Sequence, residues 1–335
     1  MIFSSESLKG TEYDSIKVFD ENESLFSYGL DLLVETDNSL RDFLSASVHK
    51  SIANQRPLCE SFDIGELISN VIQWFIDMIK KLFNKFKAFV MKILYSDSYI
   101  KKNKSKILAF DDALEYTGDR YWYTCTDSNI PKCGLIDQFG KELDDLKTRL
   151  SVLKDKKTQP DRVETMNRIY QELKNEASSD YYAMIRSSCI GATYPISEDN
   201  WSKELFNLYR NGGSYYTNKI SHPEIVEVMN RYENVKKLIK EVEGQKNEII
   251  KSARETEKEI KSINLKDVAP AYSPYQISEE EAFDRIRRAK VEQVSNVCRI
   301  YTMAFSAKLD ALKESISQDK RVLYEVLLHV TVEGE

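Results

Sequence analysis

The stretch Ile225–Ile263, IVEVMNRYENVKKLIKEVEGQKNEIIKSARETEKEIKSI, decides the fold class. Ile225, Val228, Tyr232, Val235, Ile239, Val242, Lys246, Ile249, Ala253, Thr256, Ile260 and Ile263 keep a strict alternation of three- and four-residue steps. That spacing places them on one stripe of an α-helix, the seam of a coiled coil. Nine of the twelve are aliphatic or Ala and Tyr232 is a tenth apolar member, while Lys246 and Thr256 weaken the seam in its middle. The pattern predicts one helix of about 40 residues, about 60 Å long at 1.5 Å per residue.

Downstream, the Pro-containing turn VAPAYSPY (268–275) leads to Ser278-Glu279-Glu280-Glu281, which reads as a capping box with Ser at N-cap and Glu at N3. Phe283, Ile286, Val294, Val297, Tyr301, Phe305, Leu312, Ile316, Leu323 and Leu327 then keep helical spacing nearly to the end. Two long helices joined by such a loop are expected to fold back as an antiparallel hairpin over 223–335.

Upstream, residues 134–222 read as a helical domain. Phe139, Leu143, Leu146, Leu150 and Leu153 run up to a break at Gln159-Pro160, and Val163, Met166, Ile169, Tyr170 and Leu173 carry a second helix. NWSKELFNLYRNGG (200–213) reads as a short helix closed by Gly212-Gly213. Residues 107–133 hold the clearest β signal: Tyr121, Trp122, Tyr123, Thr124 and Thr126 lie between the Gly118-Asp119 turn and Asn129-Ile130-Pro131. The expected fold is mainly α, an elongated helical bundle with a long C-terminal antiparallel hairpin and one short β hairpin or strand insertion. With 11 Gly and 7 Pro in 335 residues and 30% charged residues, composition agrees.

Charge comes in blocks. Residues 1–79 hold 14 acidic against 5 basic residues, whereas residues 80–106 hold nine lysines against Asp97 alone. The two blocks are electrostatically complementary, so an acidic leader can shield its basic neighbour. Within 61–106, Leu67, Ile68, Val71, Ile72, Phe75, Ile79, Leu82, Phe83, Phe86, Val90 and Ile93 form a wide apolar helical face, and KKNKSK (101–106) reads as a solvated linker. Three roles are open to this helix. It can dock on the chain's own core. It can lie in a membrane interface, with Trp74, Phe83 and Phe86 in the acyl boundary and Lys80, Lys81, Lys85, Lys87 and Lys92 at anionic head groups. Or those lysines, with Lys101, Lys102, Lys104 and Lys106, can neutralise nucleic-acid phosphates without reading bases.

Catalytic signatures do not emerge. His49, His222 and His329 are far apart in sequence and fit no metal-ligand spacing, and no G-x-S-x-G, G-x-x-x-x-G-K or G-x-G-x-x-G string occurs. Adjacent acids such as Asp111-Asp112 and Asp144-Asp145 point about 100° apart on a helix and read as solvated pairs. Cys59, Cys125, Cys133, Cys189 and Cys298 are an odd set without C-x-x-C spacing, as in reduced cytosolic proteins. Met1 to Gly10 lack a basic start and apolar run, and no window of about 18 apolar residues offers a membrane span. The expectation is a protein made in a cytoplasm, without enzymatic activity, cofactor or metal.

Leu58-Cys59-Glu60, followed by Ser61, fits the Leu/Ile-x-Glu pattern after which prohead proteases of large tailed bacteriophages cut capsid and internal head proteins. Leu33-Val34-Glu35 and Leu323-Tyr324-Glu325 fit it too, but Glu60 sits between the acidic segment and the basic helix, behind Pro57. An acidic leader, a helix of the type I..FI..I.KLF.KF, an aromatic strand ending near NIP and C-terminal helices such as SNVCRIYTMAFSAKLDALKESISQDKRVLYEVL together resemble internal virion or head-structural proteins of such phages. The resemblance implies a structural virion protein inside the head, with 1–60 a propeptide cut after Glu60. Its implied partners are other virion proteins or further copies of itself, and packaged DNA through the lysines. The alternatives are a membrane-active protein working through helix 66–94 and a cytoplasmic adaptor holding a partner through the 223–335 hairpin.

Overall fold

Long apolar periodicities with few Gly or Pro to interrupt them build helices, and the protein is mainly α. The computed structural model describes residues 24–35, 38, 64–95, 98–115, 144–146, 148–149, 151–155, 159–210, 219–262 and 277–332. In chain order the main elements are helix α1 at 25–35, α2 (Ile64–Tyr95), α3 (Ser98–Lys102), α4 (Lys104–Ala109) and β1 (Leu114–Glu115). They continue with a 3₁₀ turn (Val152–Asp155), α5 (Gln159–Glu176), α6 (Ser179–Ile190), α7 (Glu198–Arg210), β2 (Lys219–Ile220), α8 (His222–Glu233), α9 (Val235–Ser262) and α10 (Ile277–Val332).

The 56-residue α10 is the axis of the molecule, about 84 Å long at 1.5 Å per residue. Its buried face is wide: Ile286, Val291, Val294, Val297, Leu309, Leu312, Leu323 and Val326, all at most 2% exposed, fall within an arc of about 140° at 100° per residue, and Ile300, Lys313 and Tyr324 extend it on both sides. A helix buried over more than half its girth is one with neighbours on several sides. α2, α5, α6, α7 and α8 all pack on it. Polar residues on the axis are buried with it: Lys313 Nζ lies 5.0 Å from the Phe89 ring centroid and Lys320 Nζ 5.6 Å from that of Tyr324.

α2 runs parallel to α10, with Phe89 level with Lys313, and just beyond α2 the Tyr99 ring stacks on Tyr324 at 6.2 Å. α9 runs antiparallel to α2, since Ser69 Oγ donates to Glu257 at 2.7 Å while Lys246 reaches Phe83 and Lys87 reaches Glu243. α9 is therefore antiparallel to α10, the expected sense, but it packs chiefly on α2, which lies against both. Over its described part the seam is buried as its spacing requires, from Ile225 at 0% to Thr256 at 2% exposed, with Lys246 partly exposed. It is carried by two helices instead of one. Asn234 interrupts the ladder, its N–H shared between the Asn230 and Arg231 carbonyls and its side chain donating to Asn230 O at 2.9 Å.

Other boundaries also differ from expectation. α8 begins three residues ahead of Ile225, where the Glu224 carboxylate accepts from both the N–H and the hydroxyl of Ser221 at 2.7 and 2.8 Å. α10 begins at Ile277, one residue ahead of the expected cap at Ser278. Helix α5 starts at Gln159 with Pro160 in its first turn, where proline is tolerated. KKNKSK is not a linker: it belongs to α3 and α4, which bury Ile100 and Ile107. The small sheet pairs Leu114 with Ile220 and Glu115 with Lys219, antiparallel, joining segments about 100 residues apart. His222 Nδ1 and the Phe110 carbonyl, 2.6 Å apart, hold the same junction. The aromatic stretch 121–126 lies outside the described residues.

The acidic leader contributes to the core. Leu25, Leu32 and Leu33 of α1 are 2%, 4% and 5% exposed and share one apolar cluster with α2, α9 and α10. Asp310 of α10 accepts from Ser24 Oγ at 2.7 Å and from the Leu25 N–H at 2.9 Å, capping α1 from outside. Gly29 allows the close approach, because a Cβ there would stand 2.8 Å from Ser306 Cβ and Oγ. Gly29→Leu is expected to lift α1 off the bundle, read as rapid proteolysis within 25–35 while the 277–332 helix stays intact; unchanged resistance would refute this packing.

α8 is pinned to the axis by Arg231, whose Nη2 and Nε donate to Asp319 at 2.7 and 3.2 Å. Burial pushes the Asp319 carboxyl above the ordinary carboxylate value, against the pull of those bonds. Arg231→Met, which strands a buried carboxyl, is expected to cost about 3 kcal/mol in urea unfolding, the low end of the range for buried pairs because Arg231 keeps some exposure. Adding Asp319→Leu is expected to recover most of that loss.

Candidate functional site

Among the described residues, the apolar face of the basic helix is one of the most deeply buried surfaces. Ile72, Ile76, Leu82, Phe86 and Val90 are 0% exposed and Phe75 and Phe83 1%. Of the three aromatic residues considered for a membrane interface, Phe83 and Phe86 are enclosed by the chain's own core and Trp74 is half-buried against it. No described helix is long and apolar enough to cross a membrane.

The lysines divide by position on α2. Lys81 and Lys92 stand exposed on the solvent stripe with Gln73, Asn84 and Ala88. Lys80 pairs with Asp77 at 3.0 Å. Lys85 is half-buried, its Nζ 3.8 Å from the ring centroid of Tyr28 on α1. The leader thus covers one lysine of the basic helix through an aromatic face, in a cation–π contact. Lys87 crosses to α9 and pairs with Glu243 at 3.7 Å. On α3 and α4, Lys101, Lys102 and Lys106 are exposed, whereas Lys104 donates to both carboxylate oxygens of Glu233 at 2.6 and 2.8 Å.

Lys246, the polar residue in the middle of the seam, sits at this junction. Its Nζ lies 4.4 Å from the Phe83 ring centroid and 3.6 Å from Glu243, so its stem packs in the seam while its charge is compensated. Thr256, the other weak position, donates to the Ser252 carbonyl at 3.2 Å. Neither position leaves a gap in the seam.

A second group of cations appears on α9. Lys236, Lys240, Lys251, Arg254 and Lys258 are all exposed. Block counting along the sequence misses them, since Glu241, Glu248 and Glu255 alternate with them; rotation at 100° per residue separates the two signs.

Leu58, Cys59, Glu60 and Ser61 lie outside the described residues. The two competing Leu-x-Glu matches are fixed in helices: Leu33 is 5% exposed within α1 and Leu323 0% within α10. Of the histidines, His222 serves the sheet junction and His329 lies 6.4 Å from the Phe110 ring, while His49 is outside the described residues. Among the described residues no group of three His, Cys, Asp or Glu is placed to hold a metal ion. Comparison with protein-family models, curated proteins and solved structures found no match to this chain.

Cys189 and Cys298 are thiols buried in the core, and burial pushes the Cys189 thiol up to about 12, opposed by a hydrogen bond to Tyr301. Neither is expected to react with a thiol reagent at pH 8 in the native protein. Modification of these two residues, followed by peptide mapping, should track unfolding in urea; labelling of Cys189 in native conditions would contradict its burial.

Proposed function

We propose that this protein is a non-enzymatic structural component of a bacteriophage virion, carried inside the head, and that residues 1–60 are a propeptide removed after Glu60. It would work as a stiff strut, in contact with other virion proteins or further copies, with packaged DNA as its polyanionic neighbour. The observation that carries this reading is the seat of α1. A leader helix capped by Asp310, fitted at Gly29 and laid over Lys85 belongs to the fold until its tether is cut.

Charge supports the same reading. Residues 1–60 hold eleven acids and five bases, so they account for the whole net charge of −6 and residues 61–335 are balanced. Loss of the leader removes long-range repulsion from polyanions and, if α1 departs, uncovers Lys85 together with apolar surface beside Leu82. The fixed helices around Leu33 and Leu323 support Glu60 as the cut, because proteolysis needs an accessible extended strand.

Intact mass and N-terminal peptide mapping of the protein recovered from phage particles test the proposal. A chain beginning at Ser61 is expected. A full-length chain in particles would end the propeptide reading, and absence from particles would end the virion reading.

A further inference from the structure

α2 and α9 lie side by side, antiparallel, and the Lys87–Glu243 ion pair marks the solvent edge of their seam, both side chains being partly exposed at 44% and 37%. At 100° per residue Lys236, Lys240, Lys251, Arg254 and Lys258 fall within an arc of about 60° that begins about 20° from Glu243 on its solvent side. All five are exposed. They run about 33 Å along the helix at 1.5 Å per residue. Across the seam stands Lys87 of α2, with the partly exposed Lys80 about 20° beyond it on the solvent side.

We propose that the α2–α9 face is a binding surface for duplex DNA, contacting the phosphate backbone without reading sequence. The inference rests on the head-interior reading only for the choice of polyanion; the surface itself is read from the fold. A straight cationic stripe of about 33 Å matches about one turn of B-DNA. The four large hydrophobic side chains that stand exposed among the described residues, Val34, Val152, Met184 and Tyr194, are all on other elements. Among the described residues no large apolar or aromatic side chain stands exposed on this face to insert among lipid chains or stack the bases of a single strand. Glu241, Glu248 and Glu255, seven residues apart, bound the stripe on its far shoulder. Their pairs with Lys237 at 3.8 Å and Lys251 at 3.9 Å are exposed, and such pairs are worth little, so phosphates can replace them.

The test is fluorescence anisotropy of the full chain with a labelled 24-base-pair duplex, in two unrelated sequences, across a salt series from 50 mM. Wild type is expected to bind both sequences alike. Lys240→Gln/Lys251→Gln/Arg254→Gln/Lys258→Gln is expected to weaken binding at least tenfold and to make the slope of log K against log salt shallower by about 3 to 4, at about 0.9 for each phosphate no longer neutralised. Lys174→Gln/Lys203→Gln, exposed lysines on α5 and α7, is expected to bind as wild type. Lys240→Arg/Lys251→Arg/Lys258→Arg should retain affinity, and circular dichroism should show every variant as helical as wild type. Absence of binding by wild type, undiminished binding by the four-site Gln variant, or binding to phosphatidylglycerol vesicles without binding to duplex would overturn the proposal. Failure here with the protein present in particles refutes the surface alone; DNA binding with the protein absent from particles refutes the virion reading alone.

Discussion

The parallel packing of Ile64–Tyr95 on Ile277–Val332 is the contact from which the rest of the structure follows. Alone in water, one helix would expose a phenylalanine-rich face and the other an apolar face covering more than half its girth. Burying a side chain such as Phe75, Phe83 or Leu312 contributes about 1.5–3 kcal/mol relative to exposure, and dozens of such residues form one continuous cluster. α9 then closes on the far flank of α2, α1 fits near Leu82 and Ser306, and α5 to α8 cover the remaining sides of the axis. The described long helices turn their apolar faces into this shared core.

The charge layout acquires meaning from that packing. Because the apolar face of the basic helix turns inward, its cations are left on the outer surface, where they join those of α9. The described helix of the acidic segment meets α2 at Gly29 beside Leu82 and at the ring of Tyr28 under Lys85, and α10 through the Asp310 cap. Under the proposed reading, cutting the chain between α1 and α2 would remove this segment and its net charge of −6 in one step.

Much of the fold was legible in the residues. The seam from Ile225 to Thr256, the apolar face from Leu67 to Ile93 and the break at Gln159-Pro160 all depend on local periodicity or backbone chemistry, which sequence records directly. Partner choice did not show. Two antiparallel amphipathic helices close in sequence suggest a hairpin, but α2 is more apolar than either seam alone can satisfy and takes the place between them. Asn234 interrupts a perfect heptad because a side-chain amide that bonds the preceding turn leaves the apolar spacing untouched. Helix α1 was read only as charge, because the acid count over residues 1–79 averages away the short apolar run LFSYGLDLLVE (25–35), which holds only Asp31 and Glu35 as acids. The basic stripe of α9 was hidden for the converse reason: in linear order its lysines are balanced by glutamates, and only the helical rotation and the known position of the seam separate the two.

Amide hydrogen exchange on the full chain, resolved by peptide, tests the central packing most directly. Amides within 67–94 and 291–327 are expected to exchange at a common slow rate set by global unfolding, because neither helix can open without exposing the other. Exchange of 67–94 faster by orders of magnitude, with 291–327 still protected, would show that the basic helix opens independently of the axis and would contradict the central role of this packing.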